Sequence, residues 1–138
     1  MFAKEIKMLL VSYPLTIMLD LLWVKVIMRD FYRENFINYI EKLQMQPFSA
    51  KYAPGFIAWM LLVLGIMIFV LPLVRNKALS LVFMHGAFFG LMVYGLYDFT
   101  NAATIVGWPM QFVMVDISWG MLLCGILTCV MQYLDTVL

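Results

Sequence analysis

Tyr97-Asp98-Phe99-Thr100-Asn101, then an uncharged connector ending in Gly107-Trp108-Pro109, then Val115-Asp116-Ile117-Ser118-Trp119: this stretch sets two carboxylates, an Asn and a Trp-Pro pair between two long apolar runs. Ionisable groups are costly in hydrocarbon, so where they persist in such a setting they face protein and mark a site. The connector also divides the apolar sequence into two spans. Working outward from it, the same division recurs and gives the fold.

Of the 138 residues, 65% are hydrophobic and 12% are charged, and the mean hydropathy is +0.96. That is the balance of a chain solvated by lipid, and the class is an integral membrane protein. A net charge of +1 offers no surface that could neutralise many phosphates, which excludes nucleic acid as a partner. Membrane lipid is the expected partner, together with further copies of the chain or a larger membrane assembly. Cys124 and Cys129 lie five apart on one expected helix and point to different faces, which excludes a bridge between them.

The first apolar segment, about Met8 to Met28, is long enough to cross a core of ~30 Å at ~1.5 Å per residue. It carries Pro14, which can kink it, and Asp20, which interrupts the run and, with no small-residue cleavage site, marks a retained span. Thr16, Asp20, Trp23 and Ile27 share a stripe at helical spacing, and Lys25, Arg29 and Arg33 form a basic stripe that leaves the membrane and snorkels to headgroups or reaches back to a carboxylate. From Arg29 to about Leu43, charges alternate with Phe31, Tyr32, Phe36, Tyr39 and Ile40, the pattern of an amphipathic helix in the interface with its aromatic side down.

Proline and glycine at Pro47, Pro54 and Gly55 mark the return to a second span, about Phe56 to Val74, which has no ionisable residue and is read as packing surface. Arg75-Asn76-Lys77 leave so short a turn that the second and third spans are expected to pair tightly. The third span, about Ala78 to Tyr97, holds Gly86 and Gly90 at the small-xxx-small spacing of close helix packing. His85, alone among the residues, lacks the partners a metal or haem ligand needs and is read as bonded to its own helix. The connector from Phe99 to Pro109 is expected to lie over the helix ends as a lid, and the fourth span, about Met110 to Leu134, completes a single domain over residues 1–138.

The fold class is therefore all-α: four transmembrane helices with an interfacial amphipathic helix after the first. An even number of spans puts both termini on one side, and Asp20, Asp98 and Asp116 then fall within ~12 Å of the opposite membrane face, counting ~1.5 Å per residue. Asp20-x-x-Trp23 and Asp116-x-x-Trp119 repeat one pattern that sets carboxylate and indole on a common helix face.

Taken together, Leu19-Asp20, Trp23, Asp30-Phe31-Tyr32-Arg33, Tyr97-Asp98-Phe99-Thr100-Asn101-Ala102, Gly107-Trp108-Pro109 and Val115-Asp116-Ile117-Ser118-Trp119-Gly120 resemble the family of small membrane proteins catalogued as domain of unknown function 2177. The likeness covers nearly the whole chain. It implies a four-span, mostly bacterial membrane domain, hence a bacterial plasma membrane, and carries no activity, substrate or cofactor.

The site residues expected from this reading are Asp20, Trp23, Asp98, Asn101, Trp108, Asp116 and Trp119, as a binding or translocation site for a cation, a proton, or the amine of a small solute or lipid headgroup. No metal site and no cofactor is assigned. The other readings are an accessory or structural subunit in which the aspartates clamp the helices, and an intramembrane acid/base enzyme. Tyr97-Asp98 is similar to half of the aspartyl intramembrane protease signature, but the Gly-x-Gly-Asp half is missing around Asp116. No Gly-x-Ser-x-Gly, His-Glu-x-x-His or Cys-His arrangement occurs, so the balance lies against an enzyme. The charges flanking the spans nearly tie, with Lys4, Lys7, Arg75 and Lys77 against Arg29, Arg33, Lys42 and Lys51. The short basic turn at 75–77 favours termini in the cytoplasm.

Overall fold

The computed structural model describes residues 2–138, and its regular structure is all helical, without strands among those residues. Four segments are long and apolar enough to cross a membrane: Phe2–Ile27, Tyr52–Val74, Leu79–Thr104 and Met110–Val137. They are built from α1 (Phe2–Leu22), α4 (Tyr52–Gly65) continued by α5 (Leu71–Val74), α6 (Leu79–Thr104) and α7 (Met110–Val137), with α2 (Arg29–Tyr32) and α3 (Asn38–Gln44) between the first two spans.

Three single π-helical turns interrupt this plan, at Trp23–Ile27, Arg33–Ile37 and Ile66–Val70. The last immediately precedes Leu71-Pro72. Proline lacks the N–H for an i→i−4 bond and its ring crowds the carbonyl four residues back, so a widened turn there lets the second span continue past it. The first π-turn ends at Met28, whose φ of −111° and ψ of 24° bend the chain out of the first span.

The dominant helix pair is α6 with α7, and its cause is in the glycines. A Cβ on Gly86 would meet Thr128 Oγ1 at 2.3 Å, and one on Gly90 would meet the Gly120 carbonyl oxygen at 2.2 Å. Without side chains at these two points the backbones come close enough for dispersion, the main attraction between helices in lipid, to act over their whole length. The tight pairing expected of the second and third spans is thereby corrected. They touch at their turn end, through Ile66–Val74, and part along Tyr52–Gly65, which packs on α1 instead.

Two other boundaries move. The third span does not stop at Tyr97; helix continues to Thr104, so Phe99–Thr104 are not connector and the true connector is Ile105–Pro109. Nothing in Phe99-Thr100-Asn101-Ala102-Ala103 breaks a helix, and the chain turns only at Gly107, whose φ of 75° suits a residue without Cβ. The second span begins at Tyr52, with Pro54 tolerated because N–H groups of a first turn have no intrahelical partner.

At the terminal face, Asp135 accepts two cations: Lys4 Nζ at 3.0 Å from Oδ1 and Arg75 Nε at 3.0 Å from Oδ2, and Lys4 also donates to the Asp135 carbonyl. This cluster ties the first span, the turn at residue 75 and the fourth span together. At the other face, the aromatic side of the 29–44 segment does not lie on lipid as expected. Tyr32 is buried, Phe36 stacks on Phe112 with ring centroids 4.4 Å apart, and Tyr39 meets Trp108 edge-on at 5.9 Å. The amphipathic helix covers protein.

Candidate functional site

Asp20, Asp98 and Asp116 stand seven residues before Ile27, six before Thr104 and six after Met110, so at ~1.5 Å per residue all three share one depth, about 10 Å from the helix ends. Asp98 is thus well inside the third span and not at its end.

Asp20 is held by indoles on two other helices. Trp59 of α4 donates from Nε1 to Oδ2 at 2.8 Å, and Trp119 of α7 donates from Nε1 to Oδ1 at 2.8 Å. Each is a bond between spans, in surroundings with little water to compete for it.

Trp23 lies flat on Trp119, with centroids 4.5 Å apart and planes 2° from parallel. Its own Nε1 donates to the Tyr32 hydroxyl at 3.2 Å, and that hydroxyl donates to Asp116 Oδ1 at 2.9 Å. The repeated Asp-x-x-Trp pattern is therefore a crossed arrangement in which each carboxylate is reached from the other helix's tryptophan, directly for Asp20 and through Tyr32 for Asp116. Burial, and next the charge of Asp116 beside it, raise the Tyr32 phenol above its ordinary pKa of 10.0, so it stays a proton donor.

Asp98 is fully buried and both of its oxygens lack a hydrogen-bond partner, as does the buried Nε1 of Trp108. Asp116 and the Trp108 indole are the polar groups that act on it. Trp108 sits in an aromatic cage of Phe36, Tyr39, Tyr97 and Phe112, at centroid distances of 5.9 to 6.3 Å. The Tyr39 hydroxyl donates to the Val106 carbonyl at 2.7 Å, which ties the connector to the 29–44 segment, although Val106 and Gly107 themselves stay exposed. Asn101 lies one turn beyond Tyr97, with its side chain beside that of Tyr97, and does not line the cleft that holds Asp20 and Asp116.

A cavity of about 500 Å³ opens where α4 and α6 part, with Asp20 and Asp116 on its wall among Trp59, Leu61, Leu62, Phe89, Val93, Tyr94 and Tyr97. Leu61, Val93 and Tyr97 are exposed, so the opening faces lipid. All four spans contribute: α1 and α7 supply the carboxylates at the back, and α4 and α6 supply the apolar jambs. No cation answers the carboxylates. Lys25 donates instead to the Tyr52 hydroxyl at 3.1 Å, and Arg29 and Arg33 form no ion pair among the described residues.

Two of these residues escape a reading of the sequence. Trp59 lies in the span expected to hold no chemistry, and its only signal is an indole N–H that needs an acceptor in lipid. Tyr32, expected on the lipid side of an interfacial helix, bridges the two Asp-x-x-Trp patterns. Elsewhere, His85 Nδ1 bonds the Leu81 carbonyl at 2.7 Å within its own helix, and both cysteines are free.

The chain belongs to the family described as predicted membrane protein (DUF2177), whose profile matches residues 5–133. Neither curated proteins nor solved structures give a match.

Proposed function

We propose that this DUF2177 family member binds a small lipophilic amine or other monovalent organic cation in the cleft between α4 and α6, with Asp116 and its neighbour Asp98 as the charged end of the site. The observation that carries this reading is the placing of Asp116 on the wall of an apolar cavity open to lipid, with no basic side chain paired to it among the described residues. Two neighbouring carboxylates in a low dielectric need a compensating positive charge, either a shared proton or a bound cation. A cation arriving through the bilayer with its apolar part in the cleft displaces that proton, and the exchange gives the site a route to coupled translocation.

The two cleft carboxylates divide the work. Both oxygens of Asp20 are taken by indoles of α4 and α7, which supports the structural reading for that residue: it clamps the cleft at a fixed width. Asp116 has one oxygen bonded to Tyr32 and stands on the cleft wall beside Asp98. Trp23, Trp119 and Trp108 are positioning residues on this reading. Orientation with termini in the cytoplasm of a bacterial plasma membrane puts the carboxylates towards the outer face.

Thermal unfolding of the purified protein in detergent, with n-octylamine or n-octanol added, tests the proposal. Octylamine is expected to raise the Tm of the wild type and not of Asp116→Asn, whose amide can still accept from Tyr32; ligand at ~100 times its Kd contributes about 2.7 kcal/mol. Equal responses to amine and alcohol, or an unchanged response in Asp116→Asn, would overturn it.

A further inference from the structure

A second cavity, of about 520 Å³, lies at the interface where the first span ends and the second begins. Lys25, Arg29, Arg33 and Lys51 line it, with Tyr52 and Trp59 among the remaining wall residues. We propose that this vestibule is a headgroup site for an anionic phospholipid, its phosphate held by Arg29 and Arg33 and its charge balanced by Lys25 and Lys51.

Four cations gather on one concave wall, and none forms an ion pair among the described residues, although Asp30, Glu34 and Glu41 lie on the same segment of chain. Glu41 does not line the cavity and accepts the N–H of Phe48 at its edge, at 2.9 Å. Lys25 is fixed by its bond to the Tyr52 hydroxyl and stands 5.4 Å from the centre of that ring. The π-turns at Trp23–Ile27 and Arg33–Ile37 bracket Arg29 and include Lys25 and Arg33, and widened turns of this kind recur at functional sites because they re-aim side chains. Guanidinium groups match phosphate oxygens in a fork that lysine cannot make.

The vestibule's place selects a lipid as the source of the phosphate. It sits at the end of a membrane span, and Asp20 and Trp59 border both it and the apolar cleft. An amphiphile seated with its phosphate above thus has apolar wall directly beneath. Asp20, the one carboxylate on the vestibule wall, already accepts from two indoles. This site has the opposite charge preference to the cleft.

The test is native mass spectrometry of the delipidated full-length protein with equimolar phosphatidylglycerol and phosphatidylcholine of matched acyl chains. Preferential retention of phosphatidylglycerol is expected, falling roughly ten-fold in Arg29→Gln/Arg33→Gln and unchanged in Lys7→Gln/Lys77→Gln, which removes equal charge from the other face. Lys51→Gln, outside any helix, repeats the measurement with a smaller fall if the double variant does not fold. Equal retention of the two lipids overturns the proposal, as does an equal loss in Lys7→Gln/Lys77→Gln. Displacement of phosphatidylglycerol by inorganic phosphate at low millimolar concentration would make the site one for a soluble anion.

Discussion

Trp23 and Trp119 stack with planes 2° from parallel and centroids 4.5 Å apart, and around that pair each of two helices reaches the other's carboxylate. The centre of the molecule is thus an aromatic joint with an acid on either side.

Replacing Trp119 by Phe keeps a ring in the stack and removes the donor to Asp20 Oδ1. A loss of about 1 to 2 kcal/mol in stability is expected, between the modest worth of hydrogen bonds in membranes and the full cost of an unsatisfied buried acceptor. Thermal or denaturant unfolding in detergent measures it, and wild-type stability in Trp119→Phe would deny the indole any clamping role.

Gly90→Ala is expected to destabilise the protein by about 1 to 3 kcal/mol, because overpacking at a close backbone contact has no low-strain outlet; the new methyl would lie 2.2 Å from the Gly120 oxygen. Gly95→Ala is the control, since its nearest neighbour would be at 3.9 Å. Similar unfolding midpoints for the two variants would contradict the helix pairing described.

Tyr32 supplies a pH dependence whose sign can be worked out. Its folded pKa is raised above the unfolded value of 10.0, so above pH 10 the unfolded chain gives up a proton that the folded one keeps, and stability contributed by the phenol falls as pH rises. Tyr32→Phe is less stable at neutral pH through the lost bond to Asp116, and the gap between it and the wild type is expected to narrow above pH 10. A gap that widened there would mean that Tyr32 ionises more easily in the folded protein.

Cysteine placed at position 77 reports orientation. Lys77→Cys is expected to react with a membrane-impermeant maleimide from the cytoplasmic side of inverted vesicles and not in intact cells, if the basic turn at 75–77 lies inside as proposed. Labelling in intact cells would reverse the topology and move the carboxylates to the cytoplasmic face.

The spans were legible because length and hydropathy alone determine what can cross a bilayer, and the Gly86/Gly90 spacing announced a packing face. Two things were not legible for identifiable reasons. Phe99–Thr104 is uncharged and only mildly polar, so nothing in it marks where the span ends, and the helix runs on because no residue breaks it before Gly107. The partners of Asp20 and Asp116 lie 39 residues away at Trp59 and 84 away at Tyr32. Carboxylates in lipid declare that they need donors; which donors answer is decided by how the helices pack. The choice of α6 with α7, and not with α4, as the close pair is what opened the cleft.

The ion cluster of Lys4, Arg75 and Asp135 fastens three of the spans at one face, while α4 is free of α6 at the other. Such a body is tied at one end and parted at the other, like tweezers. Over the 23 residues of Tyr52–Val74, a tilt of about 5° about the fastened end displaces the far end by about 3 Å, taking ~1.5 Å of rise per residue. The Trp59 bond to Asp20 lies partway along that lever, so a small yielding at the carboxylate becomes a larger widening of the gap between α4 and α6.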